Sequence, residues 1–157
     1  MSILVWSCHE NKIILMDKVF WYRSNHIGYS LQKSIINIMN NIEFIDIFKE
    51  LWDHSENEVV EFKKAETNFD IDELGKYFSA LSNEANLRDH EFAWIVFGVW
   101  DKKHQIIGTS FKDGEVALNR LKQDMSQHTT DNLIFRDIVP IEVEGKRVLL
   151  FQVPASP

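Results

Sequence analysis

Residues Ser55 to Glu66 read SENEVVEFKKAE. Val59, Val60 and Phe62 ask for a strand, and in a strand side chains two apart share a face. Glu61 and Lys63 therefore point one way while Val60 and Phe62 point the other. Glu56 lies five residues before Glu61, at the strand entry, where a loop can fold its carboxylate back toward the same face. Two carboxylates and an ammonium on one spot make either a divalent-metal site with a charge-stabilising lysine or a solvated ion-pair network. On spacing alone the network is favoured, because most charged residues on one face of a strand are simply wet.

A second segment bears on that choice. Trp94 to Trp100 reads WIVFGVW, a continuous apolar run that fits a central strand covered on both faces. It stops at Asp101, polar residues follow from Lys102 to Gln105, and Ile106, Ile107 and Gly108 begin a returning strand. This sets Asp101 at the mouth of a hairpin, placed to join a polar cluster. Trp100 is bulky enough to stack on a base, but a half-buried strand end is the favoured reading.

Working outward, apolar residues at Leu31, Ile35, Ile38, Ile42, Ile45, Phe48 and Leu51 recur at helical spacing. They predict a core-facing helical segment, split into two near Asn40 and Asn41. Asp70 to Asn83 predicts a helix opened by Asp70 or Asp72, burying Leu74, Phe78 and Leu81. Gly114 to Gln127 predicts another, with Val116, Leu118, Leu121 and Met125 inward. Ile134 to Val143 and Arg147 to Val153 flank a Glu144-Gly145-Lys146 turn and predict a closing hairpin. The order helix, strand, helix, strand, strand, helix, strand, strand predicts an α+β (mixed α/β) single domain, a mixed β-sheet with helices packed on it.

Residues 1–38 lack clean caps or periodicity and are expected to be an irregular extension ahead of a domain at 39–157. They either precede a natural start at Met39 or form a strand or an oligomer contact. The apolar patch from Ile13 to Met16 is too short and badly flanked for a secretory signal.

At 157 residues with 45% apolar content, the chain holds enough material for one real core. A net charge of -7 argues against a general phosphate-binding surface, since nonspecific nucleic-acid binding is driven by positive patches. A local basic rim of Lys63, Lys64, Lys102, Lys103 and Lys112 remains compatible with it, although a solvated charged surface is the simpler account of those lysines. Cys8 is the single cysteine, which excludes an internal disulfide and fits an intracellular, cytoplasmic setting. The six histidines show no ligand-like spacing; His54, beside the acidic strand, is the one to watch. No phosphate-binding G-x4-G-K-[ST] loop or dinucleotide-binding glycine fingerprint occurs, so no nucleotide cofactor is expected. No apolar run approaches membrane-spanning length.

Taken in order, EVVEFKKA, a helix carrying ALSNEANL, WIVFGVWD and QIIGT resemble the Schlafen/AlbA-type DNA-binding domain family, from about Asn40 to the C-terminus. That family shows an E-x4-E-x-K strand, a helix ending in an Asn-containing small-residue segment, an apolar strand ending in Gly-Val-x-Asp, and a returning strand with Ile-Gly. The chain departs from it between helix and apolar strand, where many members carry a Gly-Gly pair and this one has NEANLRDHEFA, Asn83 to Ala93. A helix extension or ordered loop is expected there in place of a tight glycine turn. The ending VPASP resembles a point where family members continue, so the chain resembles an N-terminal domain of something longer.

The resemblance implies two function classes. One is a nucleic-acid-binding module, a DNA-binding domain of a transcriptional regulator, contacting phosphates through Lys63, Lys64, Asn83, Arg88, Lys102 and Lys103. The alternative is a metal-dependent nuclease, an endoribonuclease, in which Glu56, Glu61 and Asp101 hold Mg2+ or Mn2+ and Lys63 stabilises charge on the phosphate. A protein with an interaction role only, its acids solvated, ranks third. DNA or RNA is the expected partner, with no membrane, and a homodimer is one arrangement that fits.

Overall fold

The computed structural model describes residues 4–7, 12–15, 28–126, 129 and 133–157. In chain order its elements are β1 (Leu4–Ser7), β2 (Lys12–Leu15), α1 (Gly28–His54), β3 (Val60–Lys63), α2 (Ile71–Leu87), β4 (Phe92–Phe97), β5 (Val99–Trp100), a 3-10 turn (Asp101–Lys103), β6 (Gln105–Ile106), α3 (Glu115–Ser126), β7 (Asp137–Val143) and β8 (Lys146–Pro154). The chain forms two compact units, Met1–Met39 and Asn40–Pro157. In the first, β1 and β2 pair antiparallel, with Leu4 beside Leu15 and Ser7 beside Lys12.

The second unit is a small α+β domain around a mixed sheet ordered β3-β4-β8-β7. β3 runs parallel to β4, with Val60 beside Trp94 and Lys63 beside Phe97; β4 with β8 and β8 with β7 are antiparallel. Parallel neighbours need a crossover, and α2 supplies it. β4 and β8 occupy the middle and are buried on both faces, which is why WIVFGV reads as one apolar run. On one face Ile95, Phe97, Leu149 and Phe151 pack with Leu74, Phe78 and Leu81 of α2 and Leu118, Leu121 and Met125 of α3. On the other, Val60, Phe62, Val96, Val148 and Leu150 pack with Phe48, and with Phe44, Ile45 and Trp52 around it.

Four local expectations are corrected. α1 runs without a break at Asn40 and Asn41. Its apolar positions are not one continuous core face: Phe48 is buried, whereas Ile38 and Ile42 are exposed. Val116 is 85% exposed, because α3 turns only Leu118, Leu121 and Met125 to the sheet. β7 begins at Asp137, not at Ile134, after the fully buried Phe135. Asp70 does cap α2, accepting the N–H groups of Asp72 at 2.8 Å and Glu73 at 3.1 Å. The helix continues to Leu87, past the expected end at Asn83, so the first part of NEANLRDHEFA takes the helix extension that is one of the two forms expected there.

Candidate nucleic-acid interface

β3 is the open edge of the sheet, and its two sides do different work. Val59 and Lys63 turn their carbonyls to β4, accepting from Trp94 N at 2.8 Å and Gly98 N at 3.0 Å. By strand alternation the Phe62 amide points outward. There the Glu56 carboxylate accepts it at 2.9 Å. Asn57 exchanges both backbone bonds with Val60 at 3.2 Å, and its side chain accepts the Val59 amide at 2.9 Å. Ser55, at φ 61°, turns the chain so that residues 56 and 57 lie along this edge. Glu56 is thus committed to covering a sheet edge, a protective role that edge strands require.

Glu61 and Lys63 share the face opposite Phe62, as the strand parity requires, and form an ion pair with side chains 25% and 23% exposed. The Lys63 ammonium also lies 4.3 Å from the centre of the Tyr77 ring on α2. Burial pulls the Lys63 ammonium down, but Glu61 and Tyr77 outweigh it and hold its pKa above the ordinary lysine value.

β4 ends where Gly98, at φ +93°, lets the backbone cross closely over β8: a Cβ there would meet Arg147 O and Gly108 C at 3.1 Å and Thr109 N at 3.2 Å. Gly98 O accepts from Ile107 N at 2.9 Å and Gly108 N at 2.8 Å, so the β5–β6 hairpin starts from a fixed point. The returning loop is tied down as well. The buried Thr109 hydroxyl donates to Ala65 O and accepts Phe111 N, and the Arg147 guanidinium donates to Thr109 O at 3.1 Å and Phe111 O at 3.0 Å. Burial lowers the Arg147 pKa, with Asp113 partly offsetting the effect. The sequence marks Thr109 only as the end of QIIGT and Arg147 only as a strand start, and neither anchoring role is legible there, since a threonine and an arginine that satisfy loop carbonyls carry no local pattern.

At the hairpin tip, Trp100 pairs with Gln105 and leads into the 3-10 turn beginning at Asp101. The Lys64 Nζ sits 3.3 Å and the Lys103 Nζ 3.9 Å from the Trp100 ring centre. Trp100 is half-buried, as expected of a strand end, and it also gathers cations. His104, at φ 47°, closes the turn with its N–H on Asp101 O at 2.7 Å, and its ring stacks on Trp52 at 4.1 Å and 15°.

The predicted site residues therefore separate into groups. Lys64 and Lys103 meet at Trp100, with the exposed Lys102 in the same turn. Glu61 and Lys63 pair with each other. Arg88 lies at the other end of β3 and is held by Glu58 at 3.1 Å and Glu84 at 3.3 Å; Asn83 is exposed on α2. Among the described residues, no three His, Cys, Asp or Glu side chains are grouped to hold a metal ion. Glu56 is engaged by the Phe62 amide and Glu61 by Lys63, and a three-carboxylate centre is not assembled among the described residues. His54 closes α1, its Nδ1 2.7 Å from Glu50 O. No helix among the described residues is long and apolar enough to cross a membrane.

A family model described as Schlafen, AlbA_2 matches residues 56–157. Two solved structures are similar. One is the DIP2311 protein of Corynebacterium diphtheriae, at 18% identity and a TM-score of 0.47, covering 74% of this chain and 23% of that one. The other is the N-terminal domain of a RecG-related protein from Nitrosomonas europaea, at 16% identity and a TM-score of 0.40, covering 73% of this chain and 72% of that one. This chain thus spans about a quarter of the DIP2311 chain. Comparison with curated proteins finds no match.

Proposed function

The chain belongs to the Schlafen, AlbA_2 family, and from that membership together with the lysine geometry we propose that it is a nucleic-acid-binding domain, serving as the DNA-binding part of a transcriptional regulator. The family is one of nucleic-acid-related domains. The observation that carries the reading is the convergence of Lys64 and Lys103 on Trp100 beside Lys102, a local cationic surface in a chain of net charge -7. In an acidic protein such a patch is where phosphates are drawn, because the field near a surface follows its nearest charges within roughly 10 Å at ordinary salt. Arg88 contributes less, since Glu58 and Glu84 already compensate its charge.

The test is incubation of the whole chain with labelled single-stranded RNA, transfer RNA, and single- and double-stranded DNA, with Mn2+ and with chelator. Binding that weakens with salt and leaves the probe intact supports the module. Chelator-sensitive cleavage replaces it with the nuclease reading, and absence of binding at low salt removes both.

A further inference from the structure

We propose that Trp100 is a stacking platform for an unpaired base, and that Lys64 and Lys103 take the phosphates flanking it, so that the ligand is a single-stranded nucleic acid. The inference rests on the nucleic-acid reading above and narrows it to a substrate class.

Three observations carry it. The indole is half-buried at a hairpin tip, with an ammonium 3.3 Å and another 3.9 Å from its ring centre. The two lysines arrive from different elements: Lys64 directly follows β3, and Lys103 ends the 3-10 turn. The ring thus sits where the sheet edge meets the hairpin tip. The platform is also held in place: Trp100 pairs with Gln105, the turn is closed by His104, and the His104 ring is stacked on Trp52, which packs with the core through Phe48 and Phe62. A site rigid before binding loses little on ordering.

An ammonium over an indole is held by the ring quadrupole and is easily displaced at an exposed site. A flat base can replace it on the ring while the freed ammonium moves to a phosphate, so both halves of the exchange are favourable. A ligand that profits must carry an aromatic face with negative groups on either side of it, which is the repeating unit of a single strand. In a duplex the base faces are already stacked, and presenting one costs unpairing. The carboxylates of Asp101, in the same turn, and Glu66, two residues beyond Lys64, oppose phosphate locally, which limits the site to a strand held by stacking as well as charge.

The experiment is fluorescence anisotropy of the full chain with labelled short oligothymidylate, oligouridylate and a duplex hairpin, for wild type, Trp100→Leu, Trp100→Phe and Lys64→Ala/Lys103→Ala, each checked for its thermal transition. Expected for Trp100→Leu is about a tenfold loss on both single strands with little change on duplex. Trp100→Phe keeps most of the affinity, and its tryptophan emission is no longer quenched by added strand. The double lysine variant flattens the salt dependence on single strands by about 1.4 in log-log slope, roughly 0.7 for each lost phosphate contact. Unchanged single-strand affinity in Trp100→Leu, or an equal loss on duplex, overturns the stacking site while leaving nucleic-acid binding standing. If wild type binds none of the three probes at low salt, both readings fall together.

Discussion

The Glu56 carboxylate accepts the backbone N–H of Phe62 at 2.9 Å, across six residues, and so occupies the outward side of the edge strand. With Asn57 bridged to Val60, it turns an open β3 edge into a covered one. This gives the leading acidic residue of the ENEVVEFK stretch a structural occupation independent of any cation.

Replacing Glu56 by Ala is expected to cost about 1 kcal/mol in urea denaturation, the worth of a bond from an amide to a charged acceptor at a partly wet site. Glu56→Gln retains an acceptor and should recover most of it. If Glu56 instead served a metal, Mn2+ would raise the wild-type melting temperature and fail to raise that of the Gln variant. An Ala variant as stable as wild type would remove the edge-covering role.

Glu61→Gln leaves shape unchanged and releases Lys63 from its partner. Binding to labelled nucleic acid should stay equal or tighten, since one negative charge is lost beside a cation. A weakened complex, or the loss of a cleavage activity seen in wild type, would mean that the carboxylate itself meets the ligand or a metal.

Because its folded pKa is raised, Lys63 contributes stability that is fully present below the ordinary lysine value of about 10.4 and is lost as pH climbs through the raised one. The stability difference between wild type and Lys63→Met should therefore stay level from neutral pH to about 9 and shrink only above about 10.4. A difference that shrinks already between pH 7 and about 9 would contradict the raised value.

Gly98→Ala should lower stability by on the order of 3 kcal/mol, since the left-handed backbone and three close backbone atoms both oppose a Cβ. Gly145→Ala shares the positive φ, at +71°, but meets nothing within 4 Å, so it should cost only about 1 kcal/mol. Equal thermal shifts in the two variants would show that crowding at the β4–β8 crossing is unimportant.

Deleting residues 1–39 removes the first compact unit and leaves Phe44, Ile45, Phe48 and Trp52 to complete the second. The shortened chain should unfold in one cooperative transition by circular dichroism. A broad, non-cooperative melt would place the removed segment in the core.

Short-range chemistry was readable from the residues themselves. Alternation placed Glu61 and Lys63 on one face, the WIVFGV run announced a strand buried twice over, and the Asp70/Asp72 pair announced the start of α2, with the structure choosing Asp70 as the cap, because each signal depends only on neighbours within one turn or one pleat. The family pattern was legible for the same reason: its pieces are local and come in order. Which partner each charge takes depended on the tertiary structure. Glu56 meets an edge amide because β3 has no neighbour on that side, and Arg88 is compensated because α2 ends beside Glu58. Lys64 and Lys103, thirty-nine positions apart, converge on Trp100 only after β4 has paired with β3 and Gly98 has let the chain turn back. A side chain's own identity sets what it can bind, but long-range pairing decides what lies within reach.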